Sequence, residues 1–319
     1  MKSYLRSAGL IFNQPLLATP DALDMAVRWA NQTMNLNIIN MPQAGGSAIR
    51  TYEDPDDAAA ALAYGEERRR EAVRATGVQV VPVHGLLVSR GAHMNVCETM
   101  TSYEDLRNEL RAAVANPDVE RIVLDIDSPG GSATGAFELA ADLRAMALQK
   151  PITGLVNFSA YSGGYLIAAA CSEVVVSRTS GVGSIGVIAK HMDRSAMEEK
   201  LGVKVTTVFA GAHKNDLSPH EPLTEQSLQY LQEVVNEGYE MFVNAVAEYR
   251  GLSVDAVRQT EANVFRGQKA IGLGLADRVE TPTDALDNIT RAVALSRADK
   301  RGTSRLAVRA AAAQMQSQL

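Results

Sequence analysis

Residues 122–146 read IVLDIDSPGGSATGAFELAADLRAM, and the order of features in this stretch decides the fold. Ile122, Val123, Leu124 and Ile126 form an almost unbroken apolar run, the pattern of a strand buried on both faces. Asp127, Ser128, Pro129, Gly130 and Gly131 follow as a tight turn with exposed backbone N–H groups. From 133 to 146 the apolar residues return at helical spacing. A buried strand, a glycine turn and a helix make one unit of a layered α/β fold.

The same texture extends in both directions. Short β-branched runs predict strands at 78–83, 152–158, 174–176 and 203–209. Helical patterns fall at 103–115, 165–170 and about 224–250, with a further helix and strand over 268–279. The expected fold is therefore α/β with a mainly parallel sheet, over residues 76–282. Residues 1–75 read as an N-terminal accessory arm. In it Thr19, Pro20 and Asp21 make a helix start, residues 42–47 are a loop of small residues, and the charge run through Arg74 is a solvated helix face. Residues 283–319 read as an Ala-rich tail that turns basic (Arg297, Lys300, Arg301, Arg305, Arg309), a helical or mobile extension leading to a partner.

Composition narrows the function. Of 319 residues, 46% are apolar and 21% charged, enough for a sizeable core. A net charge of −6 gives no electrostatic case for nucleic acid as the main partner. Cys97 and Cys171 are too far apart in sequence for a C-x-x-C site, so neither a zinc site nor a disulfide framework is expected. Leu10, Ile11 and Phe12 are interrupted by Asn13, Gln14 and Pro15, and no 18-residue apolar run occurs. No leader or membrane anchor is therefore expected, and the chain is expected to stay in the cell that makes it.

Three loops carry candidate chemistry, each directly after a predicted strand, where open α/β sheets place their sites. The turn at 127–131 offers N–H groups for a developing oxyanion, although a plain strand-to-helix turn has the same composition. It is a poor dinucleotide fingerprint, because Ser132 and Ala133 stand where glycines are needed. Ala160, Tyr161, Ser162, Gly163 and Gly164 resemble a nucleophile elbow, with the Gly163 N–H as second oxyanion donor. The plainer reading of Ser162 is a helix N-cap. Gly211, Ala212, His213 and Lys214 follow the strand predicted at 203–209. Lys214 is either surface charge or a base, and a lysine serves as a base only where burial or a hydrogen bond favours the amine.

Together, the stretches at 127–131, 161–165, 183–187 and 211–214 resemble the signal peptide peptidase A (protease IV) family of Ser-Lys peptidases, over residues 78–279. The resemblance implies Ser162 as nucleophile and Lys214 as general base, on a ClpP/crotonase-like fold of stacked ββα units. It also implies a ring of subunits whose sites take Ser from one protomer and Lys from the next, with Gly131 and Gly163 as oxyanion donors, Ser184 bonding the lysine, and no metal or other cofactor. The arm at 10–20 is similar to that of the phage minor head protein C (prohead protease) branch. That likeness implies capsid scaffold and head proteins as substrates, and the bacterial host cytoplasm or the prohead as the place of action. A soluble housekeeping peptidase of the same family is the nearest alternative. A Ser-His-Asp hydrolase would use His191 or His213, and a non-catalytic ring would bind scaffold through the basic tail. The five histidines form no H-E-x-x-H pattern, which argues against a metallohydrolase.

Overall fold

The structure, a computed structural model, describes residues 15–20, 55–91 and 100–316, with backbone alone for 55–64 and 300–316. The helix expected after Pro20, the loop at 42–47 and Cys97 lie outside these residues.

The centre is a parallel sheet. Strand β2 (Val78–His84) pairs with β5 (Arg121–Ser128), and β5 pairs with β7 (Ile152–Tyr161), both in parallel. The ten-residue β7 then forks. Its first half pairs with β8 (Glu173–Val176), and its second half with β9 (Gly181–Gly183). The sheet is extended by β11 (Arg278–Val279), parallel to β8, and by β10 (Val264–Arg266), antiparallel to β9. A register shift between Ile126 and Ser128 moves the end of β5 along β7, so that Ser128 pairs with Ala160.

A second, four-stranded sheet sits over the ends of these strands. In it β1 (Leu16–Ala18) is antiparallel to β6 (Gly130–Ser132), β6 is parallel to β3 (Leu86–Val88), and β3 is parallel to β4 (Met100–Ser102). The chain passes twice from a central strand into this small sheet, β2 to β3 and β5 to β6, each time before a helix.

The continuous apolar strands have two buried faces to serve. Ile122, Leu124 and Ile126 point into the main core with α2 (Tyr103–Ala115), α3 (Ala136–Gln149), α4 (Gly163–Ala170) and α6 (Glu225–Arg250). Val123, Leu155 and Val175 point the other way, onto Ala285, Ile289 and Val293 of α9 (Pro282–Gln316). Each fully buried aliphatic side chain contributes about 1.5–3 kcal/mol, so a polar residue at any of these positions would break the stack. Among the described residues, no helix is long and apolar enough to cross a membrane.

Local signals fix the helix ends. Ser102 accepts the Asp105 N–H at 3.3 Å to cap α2, and Thr224 accepts the Ser227 N–H at 3.1 Å to cap α6. Gly251, at φ 65°, closes the far end of α6 in the left-handed region that a glycine enters freely. Nearby, Arg250 holds Asp277 with two hydrogen bonds, 2.7 and 2.9 Å, while Asp277 also accepts the Val174 N–H at 2.7 Å. This clamp ties α6 to the sheet. Arg297, expected in a partner-facing tail, is instead spent within the chain. It donates to Glu120 at 2.6 Å and to the Arg74 and Ala75 carbonyls, which are left open at the end of α1 (Pro55–Thr76).

One expected strand is not formed. Residues 203–209 are exposed, with no ladder partner among the described residues. The β-branched residues that predicted a buried strand, Val203, Val205 and Val208, all face solvent, as does Phe209. A β-branched pattern describes a backbone preference, and only a neighbour turns it into sheet.

Candidate active site

At the carboxyl ends of β5 and β7 two turns are packed together. Ser128, the last residue of β5, donates its hydroxyl to the Gly85 carbonyl at 2.7 Å and accepts the Gly130 N–H at 3.1 Å. This locks the Pro129–Gly130 bend. Gly130 itself is at φ 99°, and a methyl group on it would come within 1.9 Å of the Leu17 carbonyl oxygen. Gly131 has no room either, since a methyl there would lie 1.9 Å from the Leu87 carbonyl oxygen.

The second turn follows β7. Ser162 sits at φ 51° and ψ −118°, a conformation that costs a residue with a side chain on the order of 1–3 kcal/mol and survives only where its surroundings enforce it. Those surroundings are visible. The Ser162 N–H donates to the Gly183 carbonyl at 2.9 Å, and its own carbonyl accepts the Tyr165 and Leu166 N–H groups at 2.9 and 3.0 Å. The Ser162 hydroxyl makes no capping bond to α4, so the N-cap reading is set aside. Its hydrogen-bond partner is the Gly186 carbonyl, at a long 3.4 Å. All eight residues of α4 are buried. A methyl on Gly164 would meet the Ser128 carbonyl oxygen at 2.9 Å, so only glycine lets the elbow lie this close to the first turn.

The expected oxyanion donors therefore lie side by side. A methyl on Gly163 would come within 3.5 Å of the Gly131 nitrogen, and one on Gly130 within 2.9 Å of the Gly163 nitrogen. Ser184 joins them through the β7–β9 ladder, where Tyr161 stands opposite Gly183. It is at φ 54°, and its N–H donates to the Asn263 carbonyl at 2.9 Å.

Lys214 is not brought to this group. It lies on an exposed turn held against the start of α6, where Gln226 donates to the Ala212 carbonyl and to Asp216, and Leu217 donates to the Ser227 hydroxyl. The Lys214 ammonium makes no hydrogen bond to Ser162. The histidines of the triad alternative do not either. His213 bonds Asp216 at 2.7 Å on the same outer turn, and that hydrogen bond is the chief reason the Asp216 carboxyl is held below the usual range. The Gly186 carbonyl is the one hydrogen-bond partner of the Ser162 hydroxyl among the described residues. Cys171 is buried next to α4, and burial pushes its thiol up to about 12, an inert packing residue. No group of His, Cys, Asp and Glu suited to a metal ion occurs among the described residues.

Sequence reasoning missed the roof of this site. Strand β1 runs over Gly130 and Gly131, and on its other edge Leu16 exchanges hydrogen bonds of 2.8 and 3.1 Å with Ile188. Its signal was a bare Leu-Leu-Ala-Thr between two prolines, too short to announce a strand.

The comparisons with known proteins bear on this arrangement. Residues 144–314 match the family model described as Peptidase family S49. The chain is 37% identical over 288 residues to the head-tail preconnector protein GP5 of Enterobacteria phage P21, covering 88% of this chain and 56% of that protein. It is 35% identical over 285 residues to the capsid assembly protease C of Escherichia phage lambda, covering 88% of this chain and 64% of that one. A putative signal peptide peptidase SppA of Enterococcus faecium is 28% identical over 228 residues, 71% of this chain and 66% of that one. Among solved structures, an enoyl-CoA hydratase/isomerase family member superposes with a TM-score of 0.40 at 15% identity, covering 69% of this chain and 73% of that chain. The chain thus spans roughly three fifths of the length of its two phage relatives.

Proposed function

We propose, since this chain belongs to Peptidase family S49, that it is a serine endopeptidase acting on scaffold and head proteins during phage capsid maturation. Ser162 is the nucleophile, the Gly131 and Gly163 N–H groups hold the oxyanion, and Lys214 of a neighbouring subunit is the general base, steadied by Ser184. The observation that carries the reading is the strained, uncapped Ser162, buried beside two glycine N–H donors.

The chemistry divides between the two loops. Lys214 takes the Ser162 proton as the hydroxyl attacks a peptide carbonyl, the two N–H groups receive the charge that forms on oxygen, and the amine leaves with the proton. Water then hydrolyses the acyl-serine by the same route. The base must be a neutral amine, which needs burial, and Lys214 is exposed on the single chain. A neighbour in a homo-oligomeric ring supplies that burial. The exposed valines of 203–209, ahead of Lys214, are the surface such a neighbour would cover. Capsid proteins as substrates, and the host cytoplasm and prohead as the setting, rest on the two phage relatives. The division into an arm at 1–75, a peptidase domain at 76–282 and a tail at 283–319 belongs to the same reading.

The test is hydrolysis of an unfolded protein, with intact-mass analysis of the chain itself, by wild type and Ser162→Ala. Cleavage by the wild type alone is the expected result. Equal cleavage by both would remove Ser162 from the mechanism, and inertness of an oligomeric wild type would remove the peptidase.

A further inference from the structure

Strand β1 lies directly over the two glycine turns beside Ser162. Leu16, Leu17 and Ala18 are buried between two protein edges, β6 on one side and Ile188 on the other, and both pairings are antiparallel. The Thr19 N–H donates to the Pro129 carbonyl at 3.1 Å, and the Ala133 N–H to the Pro15 carbonyl at 3.4 Å. In an antiparallel ladder hydrogen-bonded pairs fall on alternate residues, so Leu17 and Gly131, opposite each other in the register, are the hydrogen-bonded pair between them. The Leu17 carbonyl thus takes up the Gly131 N–H, one of the two proposed oxyanion donors.

It also lies against the other donor. A methyl on Gly163 would come within 3.2 Å of the Leu17 carbonyl oxygen and 3.3 Å of its Cβ. The Leu17 side chain, fully buried, fills a place in the main core. One backbone carbonyl therefore rests between both donors beside Ser162, with an aliphatic side chain in a closed pocket. More than 110 residues of sequence separate β1 from the turn it covers. While it is there, neither edge is open to another peptide.

We propose that residues 15–19 are a built-in occupant of the substrate groove. Protein substrates bind by replacing this segment in the same register, as an extended strand with an aliphatic residue at the place of Leu17. The nature of the substrate rests on the peptidase reading; the occupancy does not. Because the arm is tethered, it competes at an effective concentration in the millimolar range, so a free peptide of the same sequence binds weakly to the intact chain.

The experiment uses the full chain carrying Ser162→Ala, so that nothing is consumed, and a fluorescein-labelled peptide of residues 13–20 followed by polarisation. Adding Leu17→Arg to the chain, which expels the arm from its apolar pocket, is expected to tighten peptide binding at least tenfold. The peptide bearing the same Leu17→Arg change is expected to bind neither chain. Thr19→Pro removes the N–H that bonds the Pro129 carbonyl without changing a core side chain, and is expected to tighten binding several-fold, which keeps the test decisive if Leu17→Arg fails to fold. Equal affinity of the intact and Thr19→Pro chains, or no preference between the two peptides, overturns the proposal. Neither readout needs hydrolysis. Binding in this way by the Ser162→Ala chain, with no cleavage by the oligomeric chain that keeps Ser162, contradicts the peptidase reading alone. Cleavage by the chain that keeps Ser162, with no response of peptide binding to the arm variants, contradicts this inference alone.

Discussion

Ser162 and Lys214 stand at opposite extremes of one chain. Ser162 is 0% exposed, at the mouth of a helix buried along its whole length, in a backbone conformation held by three main-chain hydrogen bonds. Lys214 ends a stretch, 201–214, exposed at every residue, with Val208 at 92% and Phe209 at 51%. In the proposed mechanism, the folded chain completes the nucleophile's setting and leaves the base outside. Strain of the Ser162 kind persists only under a close-packed shell, so it is built by the protomer alone. A base that works by being desolvated is finished by whatever covers it, and apolar residues turned to water are where a cover belongs.

This contrast can be broken at either end. The largest effect is expected from Ser162→Ala, a loss of at least a thousandfold in hydrolysis of an unfolded protein, with thermal unfolding nearly unchanged because alanine keeps the Cβ and the same backbone conformation. A Ser162→Ala chain that is much less stable would mean the residue is structural. Next is Gly131→Ala. Its methyl would lie 1.9 Å from the Leu87 carbonyl oxygen, a backbone atom that cannot step aside. We expect a loss of about 2–3 kcal/mol in denaturant unfolding together with most activity, and a normally stable variant would mean the turn is looser than described.

A smaller effect is expected at the Arg250–Asp277 clamp, which secures the buried side of the comparison. Burial alone would raise the Asp277 carboxyl, but hydrogen bonds from Arg250 and from the Val174 N–H hold it below the usual carboxylate range. A carboxyl lowered in the folded state stabilises above its unfolded value near 4, and that stability drains away as pH falls through the folded value. Asp277→Asn is therefore expected to cost about 1–2 kcal/mol at pH 7, given its partial exposure. Urea midpoints of the variant and wild type should converge as pH falls from the unfolded carboxylate range through the lowered folded value. A constant gap across pH would refute the assignment. The smallest effect belongs to the outer stretch. Phe209→Ser should leave monomer unfolding within about 0.5 kcal/mol while shifting sedimentation toward smaller species, and an unchanged oligomer would separate 203–209 from the contact.

The buried side was legible in the sequence and the exposed side was not. The helix at 103–115 and the strands around 122–126 and 152–158 follow from apolar runs and caps that act within a few residues. The turn at Ser162 is legible as a strand-to-helix junction of small residues, although its composition alone also fits a helix N-cap. The strain at Ser162 was not readable, because it comes from Gly183, a ladder neighbour more than twenty residues on. The stretch 203–209 was misread because a β-branched run says nothing about whether a partner strand lies beside it. Strand β1 was missed because three residues carry no periodicity, and the edges that make it a strand, β6 and Ile188, lie more than a hundred residues away.

Mixing two inactive chains tests the split between these regions most directly. Ser162→Ala and Lys214→Ala are each expected to be inert alone. Dissociated, mixed in equal amounts and reassembled, they should regain about a quarter of wild-type hydrolysis, since each site then draws a competent Ser and a competent Lys independently, half the time each. Recovery at that level shows that Ser162 and Lys214 meet across a subunit boundary. No recovery from a verified mixed oligomer, or full activity of the Lys214→Ala chain by itself, would contradict it.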